Sequence, residues 1–201
     1  MKISLAIVLL FASATPGLAD GDFLYQPPDN GNCDISDWEQ SLALADNFTV
    51  SEDLIQIDQL VVWGVYMQGN VPGVDDFSVR FMVDSEGQPG ANAAPPESHV
   101  PSARIATGEK LWGSYDLYRF TLTLVAPVSL DPGIYWVEVM DAIPGSDNDF
   151  CWVTGTLDVA RGIARHARRT INGWTSLGGE RSLVLNGIIV PVELESFEIE
   201  R

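Results

Sequence analysis

The aromatic side chains that fall outside the apolar runs stand where they can do recognition chemistry. Trp112 with Tyr115, Trp152 and Trp174 lie at expected strand ends or loops, and the polar run Asp147, Asn148 and Asp149 lies close to Trp152 in the chain. Indole and phenol faces stack on sugar rings while amides and carboxylates bond the hydroxyls, so this set predicts a glycan-binding platform. Trp63 and Trp136 sit within apolar strands and are read as core. A second concentration is cationic: Arg161, Arg165, Arg168 and Arg169. These suit docking to an anionic glycan or to an acidic patch on a neighbouring protein; the plainer reading is neutralisation of the chain's own acidity.

Metal and catalytic chemistry find less support. Asp20-Gly21-Asp22, Asp75-Asp76 and Asp147-Asn148-Asp149 supply the hard oxygen ligands that Ca²⁺ requires. None fits a twelve-residue EF-hand loop, and the same residues make ordinary turns, so calcium is left open and no other cofactor is expected. His99 and His166 have no nearby Ser, Cys or zinc-ligand spacing and are read as solvent-exposed. Glu138 and Asp141 are three apart, which on a strand places them on opposite faces. Neither a Gly-x-Ser-x-Gly nor a His-Glu-x-x-His motif occurs. The expectation is therefore no enzyme, with a polysaccharide-active hydrolase or lyase as the distant alternative.

The elements that must position these groups read as strands. Phe77, Val79, Phe81 and Val83 alternate with polar residues, as do Tyr118, Phe120, Leu122 and Leu124, and then Tyr135, Val137 and Val139. Pro-Gly pairs at Pro72-Gly73, Pro89-Gly90, Pro132-Gly133 and Pro144-Gly145 predict turns. The fold class is all-β, an antiparallel β-sandwich of jelly-roll or Ig-like type, with one short helical or irregular basic segment near 157–169. Leu60 to Tyr66 is apolar on both faces and predicts a central strand in which Gly64 marks a bulge or a close approach.

Residues 1–19 read as a signal peptide: Lys2, an apolar run from Ile3 to Ala12, and Gly17-Leu18-Ala19 before the cut. A surface arm at 20–44, a sandwich domain at 45–190 and a tail at 191–201 follow. Later apolar runs are too short to cross a bilayer as helices, so no integral membrane segment is expected. Export, to the periplasm or beyond the cell, makes a disulfide between Cys33 and Cys151 the expected state of the only two cysteines. With 28 acidic against 11 basic residues and a net charge of −17, the surface repels phosphate backbones, which excludes nucleic acid as a partner.

The order Ala45-Asp46-Asn47-Phe48-Thr49-Val50, Ile57-Asp58, Trp63-Gly64, Asp75-Asp76-Phe77-Ser78-Val79 and Gly87-Gln88-Pro89-Gly90 is a recognisable layout. Tyr118-Arg119-Phe120-Thr121-Leu122 and Leu130-Asp131-Pro132-Gly133-Ile134-Tyr135-Trp136-Val137 continue it. Over about Ala45 to Gly187 the chain resembles a group of secreted bacterial β-sandwich modules of exported and cell-surface proteins, some carrying PEP-CTERM-type sorting tails. The resemblance implies fold more than function, because the matching residues are those of strands and turns. The combined expectation is a non-enzymatic exported binding or structural module at the cell envelope or extracellular matrix, with glycan binding as its specific form. A purely structural surface protein with protein partners is the alternative.

Overall fold

The computed structural model describes residues 21–51, 53–67, 71–143 and 149–190. The expected signal peptide, the tail at 191–201, Asp20, the Pro144-Gly145 turn, and Asp147 and Asn148 lie outside the described residues. Every strand pair is antiparallel. An eight-stranded sheet runs β1 (Gly21–Gln26), β15 (Leu183–Val190), β4 (Leu54–Tyr66), β11 (Phe150–Gly155), β14 (Glu180–Arg181). To it β2 (Pro28–Ile35) adds on β11, β9 (Tyr115–Leu130) on β4, and β8 (Ser102–Leu111) on β9. A seven-stranded sheet runs β13 (Gly173–Gly178), β12 (Gly162–Thr170), β3 (Ala43–Val50), β10 (Gly133–Asp141), β5 (Phe77–Ser85), β6 (Gln88–Asn92), with β7 (Glu97–Val100) on β5. The two sheets face each other as a sandwich.

Alternation decides which side chains meet between them. Phe77, Val79 and Phe81 of β5 and Val137 and Val139 of β10 face Leu60 and Val62 of β4, Phe120 and Leu122 of β9, and Leu185 of β15. At the centre Phe77, Phe120 and Phe150 pack edge to face, with ring centroids 5.1 to 5.5 Å apart. Each such side chain contributes about 1.5–3 kcal/mol on burial. Gly64 is the close approach its position predicts: a Cβ there would stand 2.2 Å from the Phe150 ring.

The doubly apolar β4 has a second partner on its outer side. Val65 packs there with Leu111, Leu117 and Val153 around the Cys33–Cys151 disulfide, which forms as expected and staples β2 to β11. It closes a separation of 118 residues, and in the chain-entropy picture such a loop contributes about 4–5 kcal/mol by restricting the unfolded chain.

Several elements depart from the sequence reading. The segment near 157–169 holds no helix: after a turn at 159–161, residues from Gly162 form β12, paired with β3 and β13. Its sequence is Arg-rich, yet partners on both sides supply the ladder that local propensity does not. The arm at 20–44, tied at Cys33, supplies β1 and β2. Pro89-Gly90 sits inside β6, and the chain reverses instead at Glu86 and Gly87, both with positive φ of 55° and 80°, as a two-residue hairpin turn requires.

Candidate functional site

The seven-stranded sheet curls toward its outer side until its edge strands β6 and β13 approach each other. Trp136, Met82, Ala45, Ala167 and Trp174 fill the hollow of this curl as a packed apolar cluster. Trp136 is fully buried there, and its indole N–H donates to Asp84 at 2.8 Å. One row away the register places Glu138 opposite Arg80 of β5 and Ala45 of β3, with Ala167 beyond. Because β3 presents the small Ala43 and Ala45 beside Glu138 on this face, Arg169 of β12 reaches across them. Its guanidinium lies 3.2 Å from Glu138 Oε2, and Arg80 approaches Oε1 to 3.8 Å. Burial pushes the Glu138 carboxyl up, opposed by Arg169 and then Arg80. Arg169 also lies over the Trp174 ring, 5.5 Å from its centroid.

This hollow opens at one end as a recess of about 240 Å³ lined by Trp38, Ser41, Met140, Arg169, Thr170 and Ile171. Trp38 is 52% and Ile171 89% exposed. The recess therefore combines an exposed indole, a guanidinium and hydroxyl groups above an apolar floor at Met140. That is a composition suited to a ring with one apolar face and polar edges.

Two other polar clusters are committed within the fold. Between the sheets Arg181 donates to Asp34 at 2.6 Å and to the Trp152 carbonyl at 3.2 Å, and it stands 2.8 Å from His166 Nε2. Beside it the Asp46 and Glu180 carboxyls bond to each other, which requires a proton between them, and Gln26 donates to Glu180 at 2.6 Å. Burial raises both carboxyls, and burial with the Arg181 charge lowers His166 to about 4. Asp46, Glu180, His166 and Arg181 are all buried, so no solute reaches them.

A recess of about 620 Å³ contains Asp75, Asp76, His99, Ser102 and Arg104. Arg104 pairs with Asp75 at 2.5 Å, donates to the Pro72 carbonyl and lies over the Tyr66 and Tyr118 rings. His99 pairs with Asp76 at 2.8 Å. These contacts tie the 71–76 loop to β7 and β8, and among the described residues no Trp, Tyr or Phe lines the opening. Behind it Asp141 is raised to about 7 by burial and by Asp37, Asp75 and Asp76 nearby.

The residues read from sequence do not assemble into one platform. Trp112 is exposed at the β8–β9 turn with a φ of 50°; its indole N–H donates to the Gly31 carbonyl at 3.4 Å, and its ring meets Tyr115 edge to face. Both lie on the eight-stranded sheet, on the opposite side of the sandwich from Trp174. Trp152 is no platform residue: it is fully buried in the core and donates to the Ser182 carbonyl at 2.9 Å. Asp149 accepts from Gln40 at 3.1 Å. The arginines part company: Arg161 stacks over Phe23 at 4.0 Å, Arg165 and Arg169 face the hollow by alternation, and Arg168 is exposed on the other side of β12. His166 is buried rather than exposed. Trp38, Arg80 and Glu138 as an Arg partner were not singled out by sequence for this surface. Among the described residues no group of three or more His, Cys, Asp or Glu is arranged to hold a metal ion, and no helix is long and apolar enough to cross a membrane.

Fold and site together define a disulfide-bonded all-β sandwich with a curled outer face. No protein-family model and no curated protein matches the chain.

Proposed function

We propose that this protein is an exported, non-enzymatic binding module that holds a saccharide in the Trp38–Arg169–Ile171 recess. The observation that carries the reading is the half-exposed Trp38 indole beside a guanidinium at the open end of a curled sheet. Soluble folds seldom expose large apolar groups together without use. A ring stacks on the indole while Arg169, Thr170 and Ser41 bond its hydroxyls. The buried Asp46, Glu180 and His166 take no part in it, since they are sealed between the sheets. The disulfide and the acidic surface accord with life outside the cytoplasm, and the leader at 1–19 directs export.

A glycan and polysaccharide screen with the protein beginning at Asp20 tests the reading. Binding of at least one class is expected, weakened about tenfold or more in Trp38→Ala, a loss of about 1.4 kcal/mol. Silence across a broad panel would leave the structural-module alternative, with protein partners only.

A further inference from the structure

We infer that the recess selects acidic saccharides, a uronic-acid carboxylate seating on the Arg80–Arg169 pair while the sugar ring stacks on Trp38. This rests on the saccharide reading above and adds the charge of the ligand to it. The chain as a whole carries −17, yet on this face the order of exposure is inverted. The side chains of Arg80 and Arg169 are 31% and 32% exposed, whereas the Glu138 side chain between them is 2% exposed. A solute in the recess meets the Arg169 guanidinium, which lines it, with the partly exposed Arg80 on the other side of the hidden Glu138 carboxylate. Arg165 adds a third cation on the same face, over Gly87, and forms no ion pair among the described residues.

The pairing inside the hollow is also incomplete. A guanidinium has five N–H donors in a planar fork. Arg169 directs one nitrogen at Glu138, and the nearest Arg80 nitrogen stands at 3.8 Å, beyond hydrogen-bond distance. Both groups converge on one point from opposite sides because β3 places the small Ala43 and Ala45 beside Glu138. A planar carboxylate matches such a fork better than a neutral hydroxyl does. In a uronate that carboxylate projects from the ring edge, so the ring face remains free for Trp38 and Ile171. The recess volume of about 240 Å³ suits about one sugar ring rather than an extended aromatic or lipid. An acidic protein segment would find the same charges but no use for the indole-lined mouth.

The test compares chemically matched polymers on the wild-type protein: polygalacturonate, alginate and hyaluronate, each against its methyl-esterified form, which keeps the ring and removes the charge. At least one acid form should bind, with its ester weaker by tenfold or more. Added salt should weaken the acid form. Arg80→Gln should remove most of the preference, and Arg80→Lys, which keeps the charge but not the fork, should restore part of it. Equal binding of acid and ester overturns the inference and leaves the saccharide reading intact. Binding of neither form in all three pairs overturns the inference, and silence across the broad glycan panel as well overturns the saccharide reading. The ester comparison uses no variant, so misfolding cannot mask the result.

Discussion

The buried network of Asp34, Asp46, His166, Glu180 and Arg181 and the curled face of Arg80, Glu138 and Arg169 use the same residue types for opposite ends. In the first, two sheets cover the groups: Arg181 pairs with Asp34 and stands against a His166 ring that burial keeps neutral, and Asp46 and Glu180, both raised by burial, share a proton. In the second, the sheet curls away from its partner, and the cations stay a third exposed over a hidden anion. The difference lies in what covers the strand face. Ionisable groups sealed between layers become scaffold, and those on a curled outer face remain available.

The largest expected effect breaks the scaffold side. Arg181→Ala leaves Asp34, His166 and the Trp152 carbonyl without their buried partner, and should cost about 3–5 kcal/mol, on the order of 10 °C in Tm by calorimetry. Arg80→Gln, at a site open to water, should shift Tm by no more than a few degrees. Equal losses would erase the distinction between the two regions.

A smaller effect follows from protons. Glu180 and Asp141, raised to about 7 by burial, and Asp46, raised well above the usual carboxylate range by burial and the neighbouring Glu180, hold protons in the folded state that the unfolded chain releases near 4. Their contribution is full below about 4 and fades as pH rises through about 7. His166, lowered to about 4, acts in the opposite sense: its contribution is full above about 6.5 and fades as pH falls toward 4. With several carboxyls against one imidazole, Tm should be higher at pH 6 than at pH 8.5 by a few degrees. Glu180→Gln should flatten that slope, and a steeper slope in the variant would assign it elsewhere.

Much of the scaffold was legible before any coordinates. In β5, β9 and β10 one face is buried and the other is not, so the period of two survives in the sequence. β12 was hidden because Ala167 faces the hollow and His166 faces the core, which leaves no apolar alternation, and its pairing comes from β3. β2 was hidden by its Asn, Asp and Gly content; a disulfide and the β11 ladder hold it. Trp152 was misplaced although Phe150-Cys151-Trp152-Val153 is an unbroken apolar run, the pattern of a strand covered on both faces. Of the site, Trp174, Arg165 and Arg169 were named but could not be assembled. Glu138 between Val137 and Val139 reads as solvent-facing, and its burial depends on Arg169 crossing two alanines from a strand distant in sequence. Trp38, flanked by Asp37 and Glu39, carries no local signal; only the turn that sets it beside Ile171 gives it a role.

The central claim is that the curled outer face of the seven-stranded sheet binds the ligand. Heteronuclear NMR titration of the protein beginning at Asp20 with a uronate oligosaccharide tests it directly, with indole and guanidinium N–H signals as reporters. The account predicts shifts concentrated at Trp38, Trp174, Arg80 and Arg169, with Trp112 and the His99–Arg104 recess unchanged. Shifts centred on Trp112 and Tyr115, or on Asp76, His99 and Arg104, would contradict it.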